Sequence, residues 1–397
     1  MAEPFTIDEI DSIRAATPGC TSDLIHLNHA GSSLPPQAVL DAQIGHLELE
    51  ATIGGYEAAT EASERSDAVY SSIATMVGAR PVEIARMEHA TAAWNAAFWS
   101  IPMRRGQRII THDHDYGANW IAFLRARERC GVEIERIPSD GYGQVDVARL
   151  AAALARPSEI AVVSLAWIPT SGGLVNPAAR VGELTRRAGV PFLLDACQAV
   201  GQVEIDVDEV GCDFLSATGR KFLRGPRGTG FLVVRESILD RVTPSQPDHH
   251  GADWVARDRY EFAEGARRYE HWEHDHAAWL GLGAAVDHAL SLGVDRIGAT
   301  IQQRAERLRD GLREIGLDVH DQGVERCGIV TVTHPSRSSA SVMSTLSDHG
   351  VNVSTTSVAS ARADMEIRGL PPMVRMSVHC TTTPDEVHRA LDLTASL

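Results

Sequence analysis

Between residues 85 and 234, short apolar runs alternate with amphipathic segments of helical length, and few architectures satisfy that alternation. Runs at 108–110, 133–137, 160–166 and 191–195 are separated by segments at 119–130, 146–154 and 177–188 whose apolar residues recur every three or four positions. A parallel strand pair needs a long crossover, so strands alternating with helices of about 10 to 15 residues predict a mostly parallel α/β sheet with helices on both faces. Phe231-Leu232-Val233-Val234 follows a glycine-rich turn and predicts a further, antiparallel strand.

The flanks read differently. A short amphipathic helix at 7–16 precedes a strand near Ile25, which opens into the small-residue loop Asn28-His29-Ala30-Gly31 closed by Pro35-Pro36. Helical patterns at 37–51 and 58–77 are broken apart by Gly54-Gly55-Tyr56. Beyond residue 262, helices at 294–315, 339–348 and 384–395 interleave with strands at 329–333, 351–354 and 374–378, which predicts a compact α+β domain. The expected division is an N-terminal segment, 1–25, packing with the small domain, a large domain over 26–262 and a small domain over 263–397.

No apolar run approaches the roughly 20 residues of a membrane span, and the acidic N-terminus lacks a basic stretch followed by an apolar one. A cytoplasmic protein with no membrane partner is expected. A formal charge of −16 opposes nucleic-acid binding, and the densest basic cluster, Arg220-Lys221-Arg224-Arg227, suits a small anion better than a polynucleotide. The cysteines Cys20, Cys130, Cys197, Cys212, Cys327 and Cys380 lie far apart without a Cys-x-x-Cys, as reduced thiols do. His112-Asp113-His114 and His274-Asp275-His276 lack the spacing of known metal sites, so no metal is expected.

The chemistry concentrates at 193–234. A strand ending at Asp195 and another over 212–217, leading to Lys221, would put a carboxylate and an amine at neighbouring strand ends. A pyridinium cofactor uses such a pair, the carboxylate at its ring nitrogen and the amine at its aldehyde.

Asp195-x-x-Gln198, Thr218-Gly219-Arg220-Lys221 and Gly225-Pro226-Arg227-Gly228-Thr229-Gly230 together resemble the fold-type I pyridoxal-phosphate enzymes of the class V aminotransferase group. The similarity runs from Leu27 to Ser377. It implies the PLP-dependent transferase fold, with a mostly parallel seven-stranded sheet and a smaller α+β C-terminal domain. By the same resemblance Lys221 is the Schiff-base lysine, Asp195 partners the pyridinium nitrogen and Gln198 the phenolic oxygen. Thr218 and Arg220 hold the phosphate together with Ala90 and Thr91, which open a helix. Tyr116 covers the ring and shares in proton transfer, and Thr170 lies near the cofactor hydroxyl. Arg375, in Arg375-Met376-Ser377, binds the substrate α-carboxylate, with Asn28, His29 and Gly31 across from it and Tyr56 contributed from a partner subunit. A homodimer with its site at the subunit boundary is implied.

Cysteine desulfurases carry a nucleophilic cysteine shortly before the Arg-x-Ser motif, and residues 358–372 contain none. Many relatives also have Gly-Thr where this chain has Trp272-Glu273-His274. The missing cysteine, Tyr116 at the stacking position, Gly54-Gly55-Tyr56-Glu57-Ala58-Ala59 and the run from Arg220 to Gly228 together look closest to hercynylcysteine-sulfoxide lyases. The expected function is then β-elimination from a cysteine S-conjugate, with an amino-acid epimerase or an aminotransferase as alternatives. Desulfurase activity and a non-catalytic PLP-fold protein are the less expected outcomes.

Overall fold

The seven-stranded sheet has the spatial order Ile84–Met87, Gly230–Val234, Phe214–Thr218, Phe192–Asp195, Ile160–Ala166, Arg108–His112, Glu133–Ile137. In this computed structural model, which describes residues 2–397, only Gly230–Val234 runs against its neighbours. The remaining pairings are parallel, as the β/α alternation requires.

Every residue of Ile160–Ala166, Phe192–Asp195, Phe214–Thr218 and Gly230–Val234 is buried, so the strands read as apolar runs rather than as alternating ones. The two faces nevertheless divide by the strand period of two. Phe192 and Leu194 enter one core cluster with Val163, Leu165 and Val233, while Leu193 enters the other with Val162, Phe214 and Leu232. Helices cover both faces. Ala178–Ala188 lies over the first, and Ala90–Ser100 and Gly117–Cys130 lie over the second, filling it with Trp94, Phe98 and Phe123.

The sequence places the outer elements closely, with three differences. Gly54, at φ 99°, ends helix Gln37–Ile53, and a separate short helix Gly55–Glu61 begins at once, so the break is one residue wide. Residues 351–354 do not form one strand. Val351–Asn352 pairs with Ile25–His26, and Ser354–Thr355 pairs with Val374–Ser377. A hairpin, Ala252–Ala256 with Arg259–Phe262, has no counterpart in the expected elements because its side chains are mostly exposed and carry no buried stripe to read.

Four antiparallel strands, in the order Asp318–Val319, Ile329–Thr333, Val374–Ser377, Ser354–Thr355, form the second sheet. The N-terminal helix Ile7–Ala15 docks beside it, with Arg14 paired to Glu386 at 2.9 Å. A fully buried ion pair, Arg309 Nε to Asp321 Oδ2 at 2.8 Å, ties this sheet to the loop after Ile160–Ala166. Asp321 Oδ1 accepts from the amide of Gly173 (3.2 Å) and the hydroxyl of Thr331 (2.9 Å), which fixes that loop against the strand next to Arg375.

Candidate active site

Parallel strands of a doubly wound sheet deliver their following loops to one edge, and a cavity of 370 Å³ opens there. Asp195 ends its strand, and Thr218, Arg220 and Lys221 follow the next. Tyr116 comes from the turn after Arg108–His112 and Thr170 from the loop after Ile160–Ala166. Ala90 and Thr91 open the helix after Ile84–Met87, and Gln198 completes the nine residues expected around a cofactor; all nine line this one cavity.

At one end the cavity is built for an anion. The first-turn amides of Ala90 and Thr91 have no intrahelical partner, and the helix dipole adds positive potential. His89 is the N-cap; its Nδ1 accepts from the Ala92 amide at 3.0 Å, which leaves Nε2 as the nitrogen that carries hydrogen. Gly230 permits this closeness, because a Cβ there would lie 3.0 Å from His89 Cα. Arg227 and Gly228 line the same cavity.

At the other end sits a buried carboxylate. Asp195 Oδ1 accepts from the Cys197 amide (3.0 Å) and Oδ2 from Asn119 Nδ2 (3.2 Å). Burial raises its pKa, opposed by that hydrogen bond from Cys197 and by the charge of Lys221. Cys197 also lines the cavity, and burial raises its thiol pKa while Lys221 pulls the other way. Gln198 donates through Nε2 to the Ala30 carbonyl (3.2 Å), and its buried Oε1 has no partner among the described residues. A lone buried acceptor on a cavity wall is costly unless something else occupies the cavity.

Arg375 stands behind Thr170, outside the wall. Its Nη1 donates to the Thr170 carbonyl (2.9 Å) and hydroxyl (3.0 Å), and its Nε to Ser354 Oγ (3.1 Å). Nη2 makes no hydrogen bond among the described residues. Burial lowers its pKa to about 10, Arg220 adds to the shift and Tyr116 opposes it, so the three side chains share one corner. Hydrogen bonds from such a fork to a carboxylate are worth about 1.5–3 kcal/mol each, so Arg375→Lys is expected to raise KM for an amino acid about 10- to 100-fold, with a smaller change in kcat. Steady-state kinetics with the amino acid checks this, and an unchanged KM would remove Arg375 from carboxylate recognition.

The loop around Asn28 reaches the cavity through Arg220, whose Nη1 donates to the Gly31 carbonyl. Asn28 keeps a buried, unpartnered Oδ1. His29 is turned into the core, bonded through Nδ1 to Ser33 Oγ at 3.0 Å. Tyr56 lies 78% exposed and away from its own chain's cavity. Within the basic cluster Arg224 stands apart. It adopts φ 62° and is buried against Thr17 and the Leu34 carbonyl, whereas Arg220, Lys221 and Arg227 line the cavity. Residues His271, Glu273 and His274 border a separate small cavity beside Gly228.

Sequence reasoning missed His89, His114, Asn119 and Cys197 in the wall. His89 directly precedes a helix start, a position where a side-chain acceptor is expected, and could have been read. Asn119 sits one helical turn beyond Asp115, which only a known strand edge turns into a site.

This fold and cavity define an α/β enzyme of the kind that seats a ring and its phosphate at the edge of a mostly parallel sheet. The chain matches the Aminotransferase class-V family over residues 25–390 and belongs to that family. It is 27% identical over 375 residues to a cysteine desulfurase of Serratia proteamaculans, covering 92% of this chain and 91% of that one. Its fold is that of the apo cysteine desulfurase of Thermococcus onnurineus NA1, with a TM-score of 0.90, 22% identity and coverage of 100% and 99%. It likewise matches a C-DES variant with glycine covalently linked to its PLP cofactor, with a TM-score of 0.86, 21% identity and coverage of 97% and 99%.

These relatives correct the functional expectation. The sequence departures favoured a lyase for cysteine S-conjugates and set desulfurases aside, yet the curated relatives and the matched Thermococcus and Escherichia coli structures are named cysteine desulfurases, while C-DES is named a cystine C–S lyase. The exclusion of desulfurases rested on one segment. Residues 358–372 lack a thiol, so the thiol that takes the sulfur as the carbon–sulfur bond breaks has to come from elsewhere, such as a thiol in solution, whereas the groups placed to activate the substrate lie in other segments. In the structure this segment is a short helical turn, Val358–Ser360, followed by helix Arg362–Ile367. Asp364 lies 3.4 Å from both His114 Nδ1 and Arg368 Nη1.

Proposed function

We propose that this protein is a pyridoxal-phosphate enzyme that acts on L-cysteine and breaks its carbon–sulfur bond, as a cysteine desulfurase does. The supporting observation is the cavity that joins a lysine, a buried carboxylate and a helix N-terminus, with Arg375 bonded to Thr170 behind its wall. The residues present fit the cofactor, since the free first-turn amides of Ala90 and Thr91 can donate to a phosphate and the buried carboxylate of Asp195 can accept from a pyridinium nitrogen; Gln198, expected to donate to the phenolic oxygen, instead spends its Nε2 on the Ala30 carbonyl.

When bound, pyridoxal phosphate supplies an aldehyde that condenses with amines and a ring that accepts electrons from the substrate Cα. Lys221 Nζ would hold the cofactor through its aldehyde and, when free, would be the base for the substrate Cα proton. Asp195, ionised, keeps a proton on the ring nitrogen. The Ala90 and Thr91 amides, His89, Thr218 and Arg220 hold the phosphate. Tyr116 covers the ring, and its 39% exposure places it at the mouth, where substrate enters. Arg375 Nη2 orients the α-carboxylate so that the Cα hydrogen faces Lys221.

Incubation of the holoenzyme with L-cysteine and excess dithiothreitol tests the reading. Sulfide and alanine in equal amounts support it, and pyruvate in place of alanine, or no sulfide at all, overturns it. The protein is further inferred to act as a homodimer. Ile44 and Leu47, three residues apart on helix Gln37–Ile53, are 51% and 54% exposed, an apolar strip that a second copy would cover. Sedimentation at twice the chain mass of 42.9 kDa is expected, and a monomer at micromolar concentration would refute it.

A further inference from the structure

Behind Asp195 lies a second carboxylate that the proposed mechanism leaves unused. Asp115, on the turn before helix Gly117–Cys130, is 1% exposed and has no basic partner. Its Oδ2 accepts from Thr111 Oγ1 (2.6 Å) and Ser164 Oγ (3.1 Å), and its Oδ1 from Asn119 Nδ2 (2.9 Å). The same Asn119 nitrogen donates its other hydrogen to Asp195 Oδ2 at 3.2 Å. One amide thus bridges two buried carboxylates, and its orientation is fixed because both partners are acceptors.

A buried carboxylate without a cation is a liability in a core, since burial disfavours its charge. Burial pushes Asp115 up to about 6, three side-chain donors oppose this, and Asp195 adds to it. The other titratable groups of the turn face elsewhere. His112 Nε2 is 3.3 Å from Ser139 Oγ, His114 Nε2 is bonded to the Gly143 carbonyl at 2.9 Å, and Asp113 is paired with Arg136 at 2.6 Å. The charge of Lys221 acts on Asp195, whereas no cation acts on Asp115. The one outlet for the field of Asp115 is therefore Asp195 and whatever Asp195 touches.

We propose that Asp115, acting through Asn119, is a positioning residue that fixes the Asp195 carboxylate and adds a second negative charge favouring protonation of the ring nitrogen of a bound cofactor. The proposal rests on Asp195 facing that nitrogen, as inferred above. Two carboxylates in line hold a ring proton more firmly than one, and the Asn119 bridge keeps Asp195 Oδ2 from rotating toward Lys221.

The test uses holoenzyme reconstituted with cofactor labelled with 15N at the ring. In the wild type the ring-nitrogen signal is expected at the protonated position at pH 8; its absence there would instead strike at the role of Asp195. In Asp115→Asn, similar in shape but neutral, the signal is expected to shift toward the unprotonated position. Its kcat should fall about tenfold, equivalent to one pKa unit at the ring, with KM nearly unchanged. Asp115→Glu should recover part of the shift. Ser164→Ala, which removes one donor and so makes the Asp115 charge less stable, should move the signal the same way by less. It decides the matter if Asp115→Asn does not fold. A wild-type ring signal in the folded variants would overturn the proposal and leave Asp115 a packing residue.

Discussion

Lys221→Ala is expected to abolish turnover, with a loss of at least roughly 10⁴-fold, because the substitution removes both the covalent anchor and the base at Cα. The cavity argues that the loss would be specific. Lys221 is 9% exposed and stands between strand-end residues fixed by backbone hydrogen bonds, so removing its side chain leaves Asp195, Gln198 and the phosphate cradle in place. The variant should still bind the cofactor and lose the visible absorbance band of the lysine link. Adding an amino acid should restore absorbance without product. Near-normal turnover in this variant would refute the assignment of the lysine, and with it the proposed mechanism.

Asp195→Asn should give the next largest effect. The amide keeps the side chain's shape and its contact with the Cys197 amide, but it removes the charge that holds a proton on the ring nitrogen. An opposite charge at contact is worth about one to three pKa units, so kcat should fall roughly 10- to 1000-fold with the absorbance band of the lysine link preserved. The pairing of spectrum and rate separates the two variants, since Lys221 governs both and Asp195 mainly the rate. A full rate in Asp195→Asn would show that the ring nitrogen needs no ionised partner in this protein.

Particular residues show why some of this was legible and some not. The apolar runs ending in Asp195 and Thr218 are local signals, and with the β/α alternation they place both groups at one sheet edge before any coordinates are known. Lys221, Gln198, Ala90 and Thr91 are separated by fixed loops from such strand ends, so they converge as read. Asn119 and Asp115 carry no sequence mark of function. An asparagine in a helix and an aspartate before one read as a cap and a polar face, and only the packing of helix Gly117–Cys130 over the sheet brings them against Asp195. The hairpin at 252–262 escaped for a related reason, because its exposed side chains leave no burial pattern.

The sulfur acceptor shows the opposite error. A missing cysteine in residues 358–372 is a plain sequence fact, but its weight depends on where the segment packs. Gly117, next to Tyr116, lies against the Ala359 backbone, so this segment packs beside the turn that carries Tyr116. Such contacts join residues more than 240 positions apart, and no local pattern encodes them.

By itself, then, the sequence determined the doubly wound sheet and the edge at which Asp195, Thr218 and Lys221 meet, because strand period and crossover length are local properties. Tertiary structure alone decided that Arg375 stands behind Thr170, that Arg224 leaves the basic cluster, and that Asp195 is backed by a second buried carboxylate. Those relations depend on how distant elements pack and on what burial does to a charge, neither of which a stretch of sequence specifies.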